Sequence, residues 1–141
     1  MDHHDLEIRR RTYKDFAEFG RAPLSDELGD GFKIRAAWGR LHDEHALVLD
    51  RQGELLMANP FSAVATPYRV EADDRSWYAN CAWDAIGVCA ALHVDGLIET
   101  TCPDCDEPIQ LRITNRQPDD ESLVFHCLVP ARQWWDDITF T

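Results

Sequence analysis

The 141-residue chain is 45% hydrophobic and holds five tryptophans, enough to fill the core of one domain or of two very small ones sharing it. Its formal net charge of −12 is spread through stretches such as SDELGD, EADD, PDDE and WWDD, so a phosphate backbone is repelled on average and nucleic acid is not expected as a partner. No apolar run approaches the roughly 20 residues that span a bilayer, and MDHHDLEIRRRTYKDF lacks the apolar stretch of a secretory signal, which points to the cytoplasm and to no membrane.

Taken in chain order, residues 8–19 carry Ile8, Tyr13, Phe16 and Phe19 as a helical stripe, broken by Gly20 and Pro23. Leu24-Ser25-Asp26-Glu27 has the form of a helix start, and Ile34, Ala37, Trp38, Leu41 and Ala46 recur at three and four as a third helix. ALVLDRQGELLMANP then predicts two short strands around a turn at Asp50-Arg51-Gln52-Gly53. Three helices and a hairpin are the order of a winged helix, which defines a winged-helix-like module over residues 1–60. A DNA-reading helix needs cations facing the groove, yet here Lys33, Arg35 and Arg40 stand against Asp43 and Glu44. A packing or lid role is the expectation for this module.

Residues 61–141 form the second part. Pro67 sets an extended path, YRVEA alternates as a strand, and Asp73-Asp74-Arg75 makes a turn before a helix expected from about Trp77 to Leu92. GLIETTCPDCDEPIQLRI reads as strand, tight turn and strand, SLVFHCLVP as another strand, and ARQWWDDITF as an aromatic closing segment. The fold class is α+β, with a small antiparallel sheet packed on a central helix.

Two polar residues stand out within the apolar segment WYANCAWDAIGVCAALHVDG: Cys81 and Asp84. At i and i+3 of a helix they project from one face. A helix N-terminus favours a thiolate, the nucleophile and soft-metal ligand, while apolar surroundings let a carboxyl keep a proton to donate. The alternative is structural, with Cys81 as a small buried hydrophobe and Asp84 capping backbone or pairing with Arg69 or Arg75. A dry pocket at this site is expected to be walled by Trp77 and Tyr78, and by Trp134 and Trp135.

The run YRVEADDRSWYANCAWDAIGVCAAL, followed by GLIETTC, resembles the organomercurial (alkylmercury) lyase family, and the likeness extends through LVPARQWWDD. Its sharpest part is Tyr78-Ala79-x-Cys81-Ala82-x-Asp84. The resemblance implies that Cys81 is a catalytic cysteine, that Asp84 protonates the departing carbon, and that Cys102 is mainly structural. It also implies an N-terminal winged-helix-like module, a small organometal substrate, cellular thiols as partners and mercury held transiently on Cys81. The family's second catalytic cysteine is unmatched, since its place falls near Asp120-Glu121-Ser122. Mercury favours two thiolates, so Cys127, Cys105 or Cys102, or a small-molecule thiol, is expected to supply the other. The second reading of function is a non-catalytic soft-metal or ligand-binding module of the same fold, and a third is a lyase acting on another carbon–heteroatom bond.

CPDC at residues 102–105 is half of a zinc ribbon, but structural zinc requires four ligands and no second pair exists, so no cofactor is expected. Five cysteines at irregular spacing argue for reduced thiols rather than a disulfide scaffold, and Cys89 is assigned to core packing.

Overall fold

Asp2 opens helix α1 (His3–Phe19) with a capping box: its carboxylate accepts the Asp5 N–H at 2.8 Å while that of Asp5 accepts the Asp2 N–H at 3.4 Å. Gly20 ends the helix in the left-handed region at φ 68°. The short α2 (Ser25–Leu28) leads to α3 (Gly31–Asp43), whose first N–H groups are held by Asp30. Ile8, Thr12 and Phe16 of α1 are buried with Ile34, Ala37, Trp38 and Leu41 of α3, and the Trp38 indole donates to Thr12 Oγ1 at 3.0 Å. Two of the cations of α3 are turned to partners within the fold, Arg40 Nη2 2.6 Å from buried Asp5 and Arg35 3.0 Å from Glu54, while Lys33 stays exposed. These three helices and the computed structural model as a whole describe residues 2–139.

A hairpin of β1 (Val48–Leu49) and β2 (Leu55–Ala58) follows, as the turn residues require, and β2 pairs directly with β3 (Phe61–Ser62). The boundary expected at residue 60 thus falls in a turn inside one continuous sheet. That sheet continues through β4 (Arg69–Ala72), β5 (Arg75–Ala79), β6 (Gly96–Thr101), β7 (Pro108–Thr114) and β8 (Gln117–Pro118), and its spatial order is β1-β2-β3-β5-β4-β6-β7-β8 with antiparallel neighbours throughout. Helix α4 (Ala82–Leu92) packs on β4, β5 and β6, so the molecule is α+β as expected.

Two sequence expectations need correction. The chain from Arg75 to Ala79 is a strand rather than the start of the helix, because Asp73 and Asp74 both take positive φ (50° and 62°) and close a two-residue hairpin between β4 and β5. Trp77 and Ala79 then alternate into the core while Tyr78 faces outward beside Arg69. The other correction concerns SLVFHCLVP, which forms no strand and is exposed almost throughout. The edge of β7 is already taken by β8, where Pro118 has no N–H to continue a ladder. A 3₁₀ turn (Ala131–Asp136) follows, and Phe140 of the closing segment lies outside the described residues.

Trp77 joins the two parts. It is 1% exposed, and its indole N–H donates to Phe16 O at 2.8 Å across the gap between β5 and α1. Phe16 also stacks on Phe61 with ring centroids 5.4 Å apart, so one buried cluster runs from α1 to β7.

Candidate active site

Because β5 ends at Ala79, Asn80 and Cys81 form the junction between strand and helix. Cys81 is the N-cap of α4, in extended conformation, and its Sγ accepts the Asp84 N–H at 3.5 Å. Sulfur here does the work that a Ser or Asp oxygen does at most caps. In return the Cys81 thiol reaches the Asp84 carboxyl, so thiol and acid face one another. The i, i+3 relation expected of a helical face is thereby realised as a cap, with the thiol at the mouth of the helix.

Asp84 is half-buried. Its Oδ2 accepts from Asn80 Nδ2 at 3.1 Å, and the same amide nitrogen lies 3.0 Å from Asn59 Oδ1 and 3.3 Å from Phe61 O. Two amide hydrogens thus serve three acceptors, and Asn80 Oδ1 is buried with no partner. Among the described residues no cation pairs with Asp84, and Arg69 is engaged by Glu71 at 2.6 Å instead. Burial therefore lifts the Asp84 carboxyl above the usual carboxylate range, offset in part by the Asn80 and Cys81 hydrogen bonds. The thiol moves the same way. Burial raises it first, the Asp84 N–H works against that, and the Asp84 charge adds to the rise. The lowering of the thiol expected at a helix N-terminus is thus outweighed by burial at this site.

Two cavities lie near this junction, lined by neighbours of Cys81 and Asp84 rather than by the pair itself. One of about 430 Å³ lies between the outer side of α4, the sheet and residues 117–125, with Ala82, Trp83, Ile98, Leu111 and Phe125 among its walls. Asp120 and Glu121, near the place of the unmatched thiol, also line it. Trp83, 62% exposed, approaches Phe125 with centroids 6.3 Å apart. The other cavity, about 200 Å³, is lined by Arg9, Tyr13, His45, Asn59 and Trp135. Asn59 connects it to Asn80 and so to Asp84.

The four aromatics expected around the site are distributed otherwise. Trp77 is spent on the core, Tyr78 lies on the outer sheet face, and Trp134 donates to Val129 O at 3.0 Å. Trp135 stacks on His45 at 4.0 Å and walls the smaller cavity. Among the candidate second thiols, Cys127 is exposed and donates to Val129 O at 3.0 Å. Cys102 and Cys105 sit together on the turn between β6 and β7. The strand ends preceding Cys81 and Cys102 are two strand spacings apart, about 10 Å. Cys89 is buried, as expected. Sequence reasoning missed Asn80, Asn59 and Trp83. Asn80 becomes legible once the helix is started at Ala82, since it then stands at i−4 from Asp84 beside the cap; Asn59 carries no local signal.

The family model for MerB, alkylmercury lyase, matches residues 61–141, more than half of the sequence. The chain belongs to the alkylmercury lyase family. Among solved structures, the mercury-bound form of MerB2 superposes with a TM-score of 0.66 at 18% identity, over 85% of this chain and 60% of that one. That likeness is one of fold, and at 85% of the chain it reaches beyond the residues 61–141 that the family model matches. No curated protein matches the sequence. This alkylmercury lyase family member has no helix among its described residues long and apolar enough to cross a membrane.

Proposed function

We propose that the protein cleaves carbon–mercury bonds by protonolysis, with Cys81 as the mercury ligand and Asp84 as the proton donor. The observation that carries this reading is the capping Cys81 sulfur, bonded at 3.5 Å to the N–H of Asp84, whose carboxyl burial pushes up and which pairs with no cation among the described residues. A binding module has no use for that acid.

The substrate is an organomercurial R–Hg–SR′ brought by a cellular thiol. Mercury exchanges onto Cys81: the Hg–S bond to the carrier breaks, the Hg–S bond to Cys81 forms, and the Cys81 proton leaves with the carrier as R′SH. Asp84 then transfers its proton to the carbon. The C–Hg pair of electrons becomes the new C–H bond, RH departs, and mercury stays on Cys81 as Hg(II). A second small thiol supplies the missing ligand and returns its proton to the Asp84 carboxylate. A third completes Hg(SR)₂ and restores the Cys81 thiol. Soft, two-coordinate mercury makes each exchange favourable without a resident cofactor.

Asn80 holds Asp84 Oδ2 at 3.1 Å, and the 430 Å³ cavity that includes Ala82 and Trp83 offers apolar walls to the hydrocarbon group. The N-terminal helices serve as a packing module, and partners are small: the organometal and cellular thiols. The test is arylmercurial turnover in excess monothiol. Wild-type protein is expected to release the arene, and Cys81→Ser, whose hydroxyl neither ionises near neutrality nor binds mercury well, to lose both the mercurial adduct and turnover. Turnover by Cys81→Ser at the wild-type rate would overturn the proposal.

A further inference from the structure

The pair Cys102 and Cys105 has no part in the chemistry above. Between them the chain makes a tight turn in which Cys102 N–H donates to Glu107 O at 2.8 Å and Asp106 N–H to Cys102 O at 2.9 Å, with Asp106 at φ 57°. That turn places Cys102 and Cys105 three residues apart, closed by the Asp106 N–H to Cys102 O bond, so both thiols stand on one short, fixed loop. Two thiols held on one fixed turn lose little freedom on sharing one ion. Cys105 is exposed and Cys102 half-buried, so the pair is open to solvent. Asp104, Asp106 and Glu107 around it favour a cation over an anion.

We propose that Cys102 and Cys105 form a second metal site, a two-thiolate clamp for a soft, two-coordinate ion of the Hg(II) class, at the tip of the β6–β7 hairpin and separate from Cys81. Ligand number selects the ion. Among the described residues no group of three or more His, Cys, Asp and Glu is placed to hold a metal, whereas zinc takes four ligands. Soft d¹⁰ ions are satisfied by two sulfurs. Separation from Cys81 follows from the sheet order, because the strands leading to the two cysteines are two spacings apart, about 10 Å, whereas two thiolates on one linear ion, each at about 2.3 Å, stand under 5 Å apart. Loading is by exchange: from RS–Hg–SR two Hg–S bonds break and two form, each protein thiol proton leaves on a small thiol, and mercury stays Hg(II).

This site stands whether or not Cys81 and Asp84 cleave carbon–mercury bonds. The experiment uses the full chain in a Cys81→Ser, Cys127→Ser background, which leaves the pair and buried Cys89. Mercuric chloride is added in excess monothiol, and retained metal is read by native mass spectrometry and by thiolate–mercury charge-transfer absorption. One ion per chain is expected, with retention falling about 10²-fold or more when Cys102→Ser or Cys105→Ser removes the chelate partner. Circular dichroism confirms that these variants at an exposed turn keep their fold. Zinc in the same assay is expected to wash off. Retention no better than that of a single thiol, retention unchanged by Cys102→Ser, or tight zinc binding would each overturn the proposal.

Discussion

Asp84 is a carboxyl placed where ionisation is costly, and its burial has a consequence for stability that can be measured apart from catalysis. Its folded pKa is raised above the unfolded value, so the folded state holds the proton more tightly. Well below the ordinary carboxylate range both states are protonated and no penalty exists. As pH rises through the unfolded and then the raised folded pKa, the unfolded state gains by ionising and stability declines. Asp84→Asn does not ionise and retains the acceptor for Asn80. The variant is expected to melt higher than wild type at pH 7, with the gap closing towards pH 3; parallel melting curves at all pH values would show that the carboxyl is not destabilised by burial. Asn80 is the companion residue. Asn80→Ala removes the amide donor to Asp84 Oδ2 and should slow protonolysis while leaving mercurial attachment to Cys81 intact, read as a lower single-turnover rate with an unchanged adduct yield.

At the scale of elements, the site depends on where α1, β5 and α4 end. Gly20 caps α1 at positive φ, and a Cβ built there would lie 2.3 Å from Ser76 O on β5. Gly20→Ala is therefore expected to cost about 2 kcal/mol or more, from strain and from pushing α1 off the strand that delivers Cys81. Urea unfolding with a lowered midpoint and unchanged slope would check it. The same elements show what was legible beforehand. The stripe Ile34, Ala37, Trp38 and Leu41 has the period of a helix and CPDC between two alternating runs that of a turn, as found, whereas Ala46, assigned to the same helix, lies beyond its end at Asp43. The start of α4 was misplaced because Trp77 and Tyr78 are apolar enough to continue a helix. What decides against it is the left-handed pair Asp73-Asp74, a hairpin signal read as a general turn. SLVFHCLVP has strand composition, but no sheet edge remains for it, and edge availability is a property of the finished topology. Likewise Cys81 and Asp84 were identifiable from spacing and resemblance, whereas Asn59 reaches Asn80 only through tertiary packing.

Over the whole molecule, the helices and the sheet share one core through Trp77, Phe16 and Phe61. Trp77→Ala is expected to cost about 4 kcal/mol, and unfolding of the two parts is expected to remain a single transition seen alike by fluorescence and circular dichroism. Two separate transitions in the wild type would mean that the parts fold independently. The same architecture brings Cys81 and Asp84 together at the strand-to-helix junction, and in the proposed mechanism mercury's second ligand comes from solution thiols. That division of labour is tested most directly by mixing Asp84→Asn with an arylmercurial under single-turnover conditions, following the Cys81 adduct by intact mass and the arene by its release. The adduct should form as in wild type while arene release slows by about 10²-fold or more, because the amide has no acidic proton to give. Arene release at the wild-type rate, or no adduct on Cys81 in either protein, would contradict it.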